Sequence, residues 1–296
     1  MKNKSIFIIL GGLIIVNALV QIYSGINDSG QIARILSPII VLVTVLFSVT
    51  HGLLRYGKKK LLIFFLITFI VSWIYENVSI VTGFPFGHYY YTDFLGFKLL
   101  YVPLSIMPAY FGNAYLSWTL AGILLDEYKN KPIGGSIFYI PFIASFIMVM
   151  WDLGFDPSAS TIAQAWVWAN GGSYYGVPIS NFAGWFLCVF TIYLLFALYL
   201  SKVEIHRPHP IVREKLYWIM PALMYALAAI YIPVKAIIAP DILFTALNDR
   251  EWWTGDIFKA NALVIFFTMF FVVSLALIKI SRKNQIVIDN TTISES

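Results

Sequence analysis

Four acidic residues interrupt or border long apolar runs. Glu76 lies near the end of the run at 61–80, Asp93 follows a tyrosine-rich turn, and Asp152 and Asp156 are one helical turn apart after the run at 133–151. Carboxyl groups in unlike surroundings can divide acid and base work, one keeping a proton to donate while another stays charged. Trp73, Glu76, Asn77 and Ile80 recur at spacings of three and four, so one helical face can present an aromatic surface beside two polar groups. We take Glu76, Asp93, Asp152 and Asp156 as candidate catalytic residues. Trp73, Asn77, His88, Tyr89, Tyr91, Tyr174, Tyr175 and Asn181 are the candidate substrate-binding residues. Simpler readings stand beside these: Asp156 before Pro157 suits a helix cap, Ser180-Asn181 suits another, and the tyrosines suit a membrane boundary.

The elements that must position these residues are set by an apolar chain. Its 296 residues are 59% hydrophobic and 12% charged, against about a quarter charged in an ordinary soluble domain. Mean hydropathy is +0.79. A hydrocarbon core of about 30 Å takes about 20 helical residues. Segments at 5–23, 35–54, 61–80, 97–125, 133–151, 180–200, 216–238 and 258–279 meet that length. The sequence thus predicts an all-α membrane bundle of about eight transmembrane helices, a single domain over 1–280, and a short cytoplasmic tail at 281–296. The fourth segment contains Pro103 and Pro108, so it either bends or begins as a re-entrant or interfacial piece. Lys2 and Lys4 precede the first run, which is expected to be retained as a helix.

Charge orients the bundle. With both termini cytoplasmic, 15 of the 20 Lys and Arg residues fall on the inner side, including Lys58-Lys59-Lys60, Arg207 and Lys283. The outer side collects Asp28, Asp93, Asp152, Asp156, Asp241, Asp249, Glu251 and Asp256. The expected location is the cell membrane, as a multi-pass protein. In the longest outer connection, 158–169 is predicted as a short interfacial helix starting after Asp156-Pro157, with Trp166 and Trp168 at headgroup level.

Several chemistries lack their motifs. HExxH, paired CxxC, a phosphate-cradling glycine loop and a serine-nucleophile elbow are absent, so no metal and no cofactor is predicted. His88 alone is not a metal signature, and His206 and His209 sit in a basic, proline-containing loop. The basic residues punctuate apolar runs, which argues against nucleic acid. Cys188 reads as a buried small hydrophobe. His51 reads as structural and Arg55 as a side chain snorkelling to the inner boundary. Asp241, Asp249, Glu251 and Asp256 beside Trp252-Trp253 read as a solvated lid or interface anchor.

Two stretches of 36 residues each, "YENVSIVTGFPFGHYYYTDFLGFKLLYVPLSIMPAY" at 75–110 and "WDLGFDPSASTIAQAWVWANGGSYYGVPISNFAGWF" at 151–186, carry a resemblance. The chain resembles the membrane-integral carotenoid biosynthesis proteins that include carotenoid 1,2-hydratases and bisanhydrobacterioruberin hydratases. The resemblance implies addition of water to a terminal isoprenoid double bond without a redox cofactor. The substrate would be a long carotenoid in contact with membrane lipids, water the co-substrate, and other carotenoid-pathway enzymes the neighbours. In that chemistry Glu76 or Asp93 would protonate the alkene and Asp152 or Asp156 would control water, or the roles would be exchanged. Tyr89, Tyr91, Tyr174 and Tyr175 would line the pocket. The competing class is a transporter, or a membrane protein that binds a carotenoid or polyprenyl lipid without transforming it. Against a secondary transporter stands the lack of an evident pair of inverted repeats.

Overall fold

The computed structural model describes residues 3–27, 30–204 and 209–282. Lys2, Asp28, His206, Arg207, Lys283 and the tail beyond 282 lie outside them. Helix α1 spans Asn3–Ile26 and α2 Gly30–Thr82. At 1.5 Å per residue, the 53 residues of α2 far exceed one bilayer crossing. The break is at Gly57, whose φ of 72° and ψ of 172° lie outside the helical region and are open to a residue without Cβ. Gly52 packs against Leu61 across that break, a meeting that a straight helix, rising roughly 13 Å over nine residues, forbids.

The expected fourth span divides differently. Residues 98–103 form a small hairpin of β2 (Lys98–Leu99) and β3 (Val102–Pro103), preceded by β1 (Tyr89–Tyr91) and a 3-10 turn at Asp93–Leu95. Helix α3 then runs over Ile106–Leu124, with 15 of its 19 residues buried. Its polar residues Asn113, Ser117 and Thr119 are all buried.

Helix α4 spans Ser136–Asp156 and continues as a π-helical turn over Pro157–Ile162. The chain then forms β4 (Trp166–Trp168), where the sequence predicts an interfacial helix. Alternating Trp-Val-Trp suits a strand, and its pairing partner is the distant β1. Helices α5 (Ile179–Lys202), α6 (Lys215–Leu227) and α7 (Tyr231–Ile238) follow. A hairpin of β5 (Leu243–Thr245) and β6 (Glu251–Trp253) leads into α8 (Thr254–Ile265), a π-helical turn and α9 (Phe271–Arg282). Among the described residues, six stretches are long and apolar enough to cross a membrane. This is a helical, multi-pass membrane architecture.

Prolines leave carbonyls whose partners come from other helices. Pro221 has no N–H for the Tyr217 carbonyl, and His51 Nε2 takes that place at 2.9 Å. Because a carbonyl only accepts, Nε2 carries the hydrogen. Tyr115 Oη is 2.6 Å from Nδ1, and the imidazole stacks on Tyr217 at 3.7 Å. Arg55 is buried instead of snorkelling, donating to Thr119 Oγ1 at 3.2 Å and to the Tyr128 carbonyl at 3.1 Å.

Candidate active site

Strand pairing builds the outer wall of an internal cavity. Tyr89 faces Trp168, Tyr90 faces Val167 and Tyr91 faces Trp166 in antiparallel register. Side chains alternate across a strand, so Tyr89 and Tyr91 turn inward while Tyr90 stays exposed. Trp166 and Trp168 share the inner side, and all four rings border a cavity of about 410 Å³. Below them, Gly184 of α5 admits the Pro85-Phe86 turn, because a Cβ there would stand 2.7 Å from the Phe86 ring.

Glu76 projects from α2 into this space and is 3% exposed. Tyr110 of α3 donates to Oε1 at 2.8 Å, while Tyr91 donates to Oε2 at 2.9 Å and Tyr89 donates to the same oxygen. Hydrogen bonds to an ionised acceptor are the strong ones, and three phenol donors oppose the cost that burial sets on the carboxylate form. Burial, followed by the Glu76 charge, holds the Tyr89 and Tyr91 phenols well above the usual tyrosine range. They therefore remain donors. Tyr110 is itself fixed by a parallel stack on Trp185 at 4.3 Å.

Asp152 and Asp156, four residues apart on α4 and both buried, border the same cavity. The single amide nitrogen of Asn181 donates to Asp152 Oδ2 at 3.0 Å and to Asp156 Oδ2 at 2.6 Å. Trp166 Nε1 adds a third donor at 3.0 Å from Asp156 Oδ1. Asp156 makes no side-chain cap bond, so the capping expectation gives way to this pairing. Asn181 likewise sits inside α5 and bridges the two acids instead of capping the helix. A further indole donor, Trp151 Nε1, borders the cavity without a hydrogen-bond partner. The chamber thus joins three carboxyl groups, directed donors and aromatic faces. Among the described residues, no group of three or more His, Cys, Asp or Glu side chains is placed to hold a metal.

The remaining candidates fall elsewhere. Asp93 is fully exposed and pairs with Lys98 at 3.5 Å, so it does not join the chamber. Trp73 donates to the Leu99 carbonyl at 3.3 Å, and Asn77 accepts from the Tyr101 amide at 3.3 Å; both fasten the β2–β3 hairpin. At about 100° per residue, Asn77 points well away from Glu76 despite the shared spacing pattern. The exposed His88 ring covers Gly83. Tyr174 donates at 3.1 Å to the Leu153 carbonyl, which lost its helical partner to Pro157. Tyr175 accepts at 2.6 Å from Thr161 through its own carbonyl, and its ring packs toward Trp252. These residues serve the scaffold. Tyr110, Trp151 and Trp185 were not among the candidates, although the two family-like stretches contain all three.

Together these features define a polytopic membrane protein with a buried, aromatic-walled carboxylate chamber. A family model described as "Carotenoid biosynthesis protein" matches residues 35–245, and the chain belongs to that family. Bisanhydrobacterioruberin hydratase of Haloarcula japonica is 30% identical to it over 139 residues. That match covers 47% of this chain and 45% of the relative, so the chain spans less than half the relative's length. No solved structure matches.

Proposed function

We propose that this protein adds water across a terminal isoprenoid double bond of a carotenoid, giving a tertiary alcohol. The observation that carries the reading is the convergence of Glu76, Asp152 and Asp156 on one aromatic-walled cavity in a chain of this family. Asp152 has the fewest directed donors of the three and is assigned, with Asp156, as the acid that protonates the less substituted alkene carbon. The tertiary cation forms against indole and phenol faces, which stabilise positive charge. Glu76, whose oxygens accept from three phenols, is assigned as the anion that faces that cation and accepts the proton shed by attacking water. The proton returns to the aspartate pair through solvent, so one water is consumed and no redox cofactor is required. Of the two divisions of labour that the sequence leaves open, this is the exchanged one, and Asp93 has no part.

A cavity of about 410 Å³ falls in the range of sites for one small ligand, roughly 300–1,000 Å³. It encloses one end of a long polyene while the rest lies among membrane lipids. In this reading the chain crosses the cell membrane eight times with both termini cytoplasmic, α2 contributing two crossings and α3 one. Expression in a heterologous membrane holding acyclic-ended carotenoids tests the function. A product heavier by one water, with its hydroxyl at the tertiary carbon, is expected. Folded protein that leaves a suitable panel unchanged overturns the assignment.

A further inference from the structure

The cavity has a second arm that the carboxylate chemistry does not use. Away from the aromatic wall it is bordered by Gln21 and Ser24 of α1, Ser37 and Thr44 of α2, and Asn113 of α3. Gln21 is 1% exposed and Asn113 7% exposed, yet Gln21 Oε1 and Asn113 Oδ1 have no hydrogen-bond partner. Their orientation is fixed. Gln21 Nε2 donates to the Ala228 carbonyl at 3.0 Å and Asn113 Nδ2 to the Ala109 carbonyl at 3.2 Å. Each backbone carbonyl accepts only, so each amide nitrogen must face it and each amide oxygen is left for another donor. Buried acceptors without a protein partner are costly in an apolar setting, and water in a polar cavity is their usual remedy.

We infer that Gln21 and Asn113 form a water-binding subsite, and that the arm between α1, α2 and α3 delivers co-substrate water to the carboxylate chamber. This rests on the hydration reading and deepens it. Asn113 lies one helical turn beyond Tyr110, whose hydroxyl donates to Glu76, so α3 links the arm to the charged group. The apolar substrate end and water then approach from different sides. An alkene held against aromatic faces need not exchange places with water during turnover.

The test uses the partition of the cation. In D2O, an alkene deuterated by the acid can either capture water to give the alcohol or lose a proton and return as deuterium-bearing alkene. The substrate is an acyclic carotenoid without any hydroxyl group, so the amide oxygens cannot act by binding a substrate alcohol. Gln21→Leu and Asn113→Leu should raise the ratio of deuterium in recovered alkene to alcohol by about tenfold, the equivalent of one lost hydrogen bond. Ser37→Phe, which plugs the arm from a half-buried position, should shift the ratio the same way. Unchanged ratios in all three variants overturn the inference, as does loss of both products in Ser37→Phe when the purified protein remains monodisperse. A wild-type protein that yields neither deuterated alkene nor alcohol sinks the hydration reading itself.

Discussion

Two polar clusters are buried in this bundle, and they are built on opposite principles. The first gathers His51, Arg55, Tyr115 and Tyr217; its polar side chains have protein partners, and it does not border the cavity. The second gathers Glu76, Asp152, Asp156 and their donors around a cavity that the Trp151 indole also borders without a protein partner. A buried network whose groups are all satisfied rigidifies a core, whereas one facing a void keeps capacity for a ligand. Sequence composition alone does not separate them, since each combines ionisable groups with aromatics. The difference predicts opposite mutational signatures.

The largest effects should come from the hollow cluster. Asp152→Asn, Asp156→Asn and Glu76→Gln are each expected to lower turnover on the order of 10²–10⁴-fold, as removal of an acid or base does. Thermal stability in detergent should change far less than turnover, because each substitution keeps the side chain's shape and one acceptor oxygen for its donors. Near-normal product formation in all three variants would break the site assignment while leaving the family membership untouched.

The filled cluster should respond the other way. Arg55→Met removes donors to Thr119 Oγ1 and the Tyr128 carbonyl, along with the guanidinium's place over the Trp218 ring at 5.0 Å. Hydrogen bonds to charged groups contribute about 1.5–3 kcal/mol each, so a loss of about 3 kcal/mol is expected in denaturation experiments. Turnover per folded molecule should hold. A variant that folds normally but loses activity would erase the distinction between the two clusters.

Tyr110→Phe sharpens the comparison within the hollow site. It removes one of three donors to Glu76 but keeps the stack on Trp185, and a loss of roughly tenfold in turnover is expected. Tyr89 and Tyr91 give a pH signature. Unfolded tyrosine ionises near 10, whereas the folded phenols hold their protons to higher pH. Above about pH 10 the unfolded chain therefore binds fewer protons than the native one, and the stabilising contribution present below that pH is lost as pH rises. Tyr89→Phe together with Tyr91→Phe should flatten this alkaline decline in a pH series of melting temperatures.

What the sequence made legible was the apolar architecture, the break before residue 61 and three acids worth testing. Those features are local: run length, basic residues between runs, and charge in apolar surroundings. The roof of the chamber was not local. Trp166-Val167-Trp168 becomes a strand through pairing with Tyr89–Tyr91, more than seventy residues earlier, whereas the Asp156-Pro157 start signal alone suggests a helix. Tyr174 lies outside the cavity lining for a related reason. Its hydroxyl donates to the Leu153 carbonyl, whose helical donor Pro157 removes, a contact visible only once the two segments meet.

Asp93 marks the smallest expected effect and tests the contrast from outside. It is close in sequence to Tyr89 and Tyr91, which reach the chamber, yet Thr92 ends that alternation by donating to the Gln164 carbonyl and accepting from the Phe94 amide. The chain then turns at Asp93–Leu95, and the Asp93 carboxylate meets solvent and Lys98. A charge fully in water has no altered environment to make it a special acid, and an exposed ion pair contributes little to folding. Asp93→Asn should therefore leave turnover and melting temperature unchanged within measurement. If it abolished product formation in a folded protein, catalysis would have to extend beyond the buried chamber, and burial around a void would fail as the criterion that separates the two clusters.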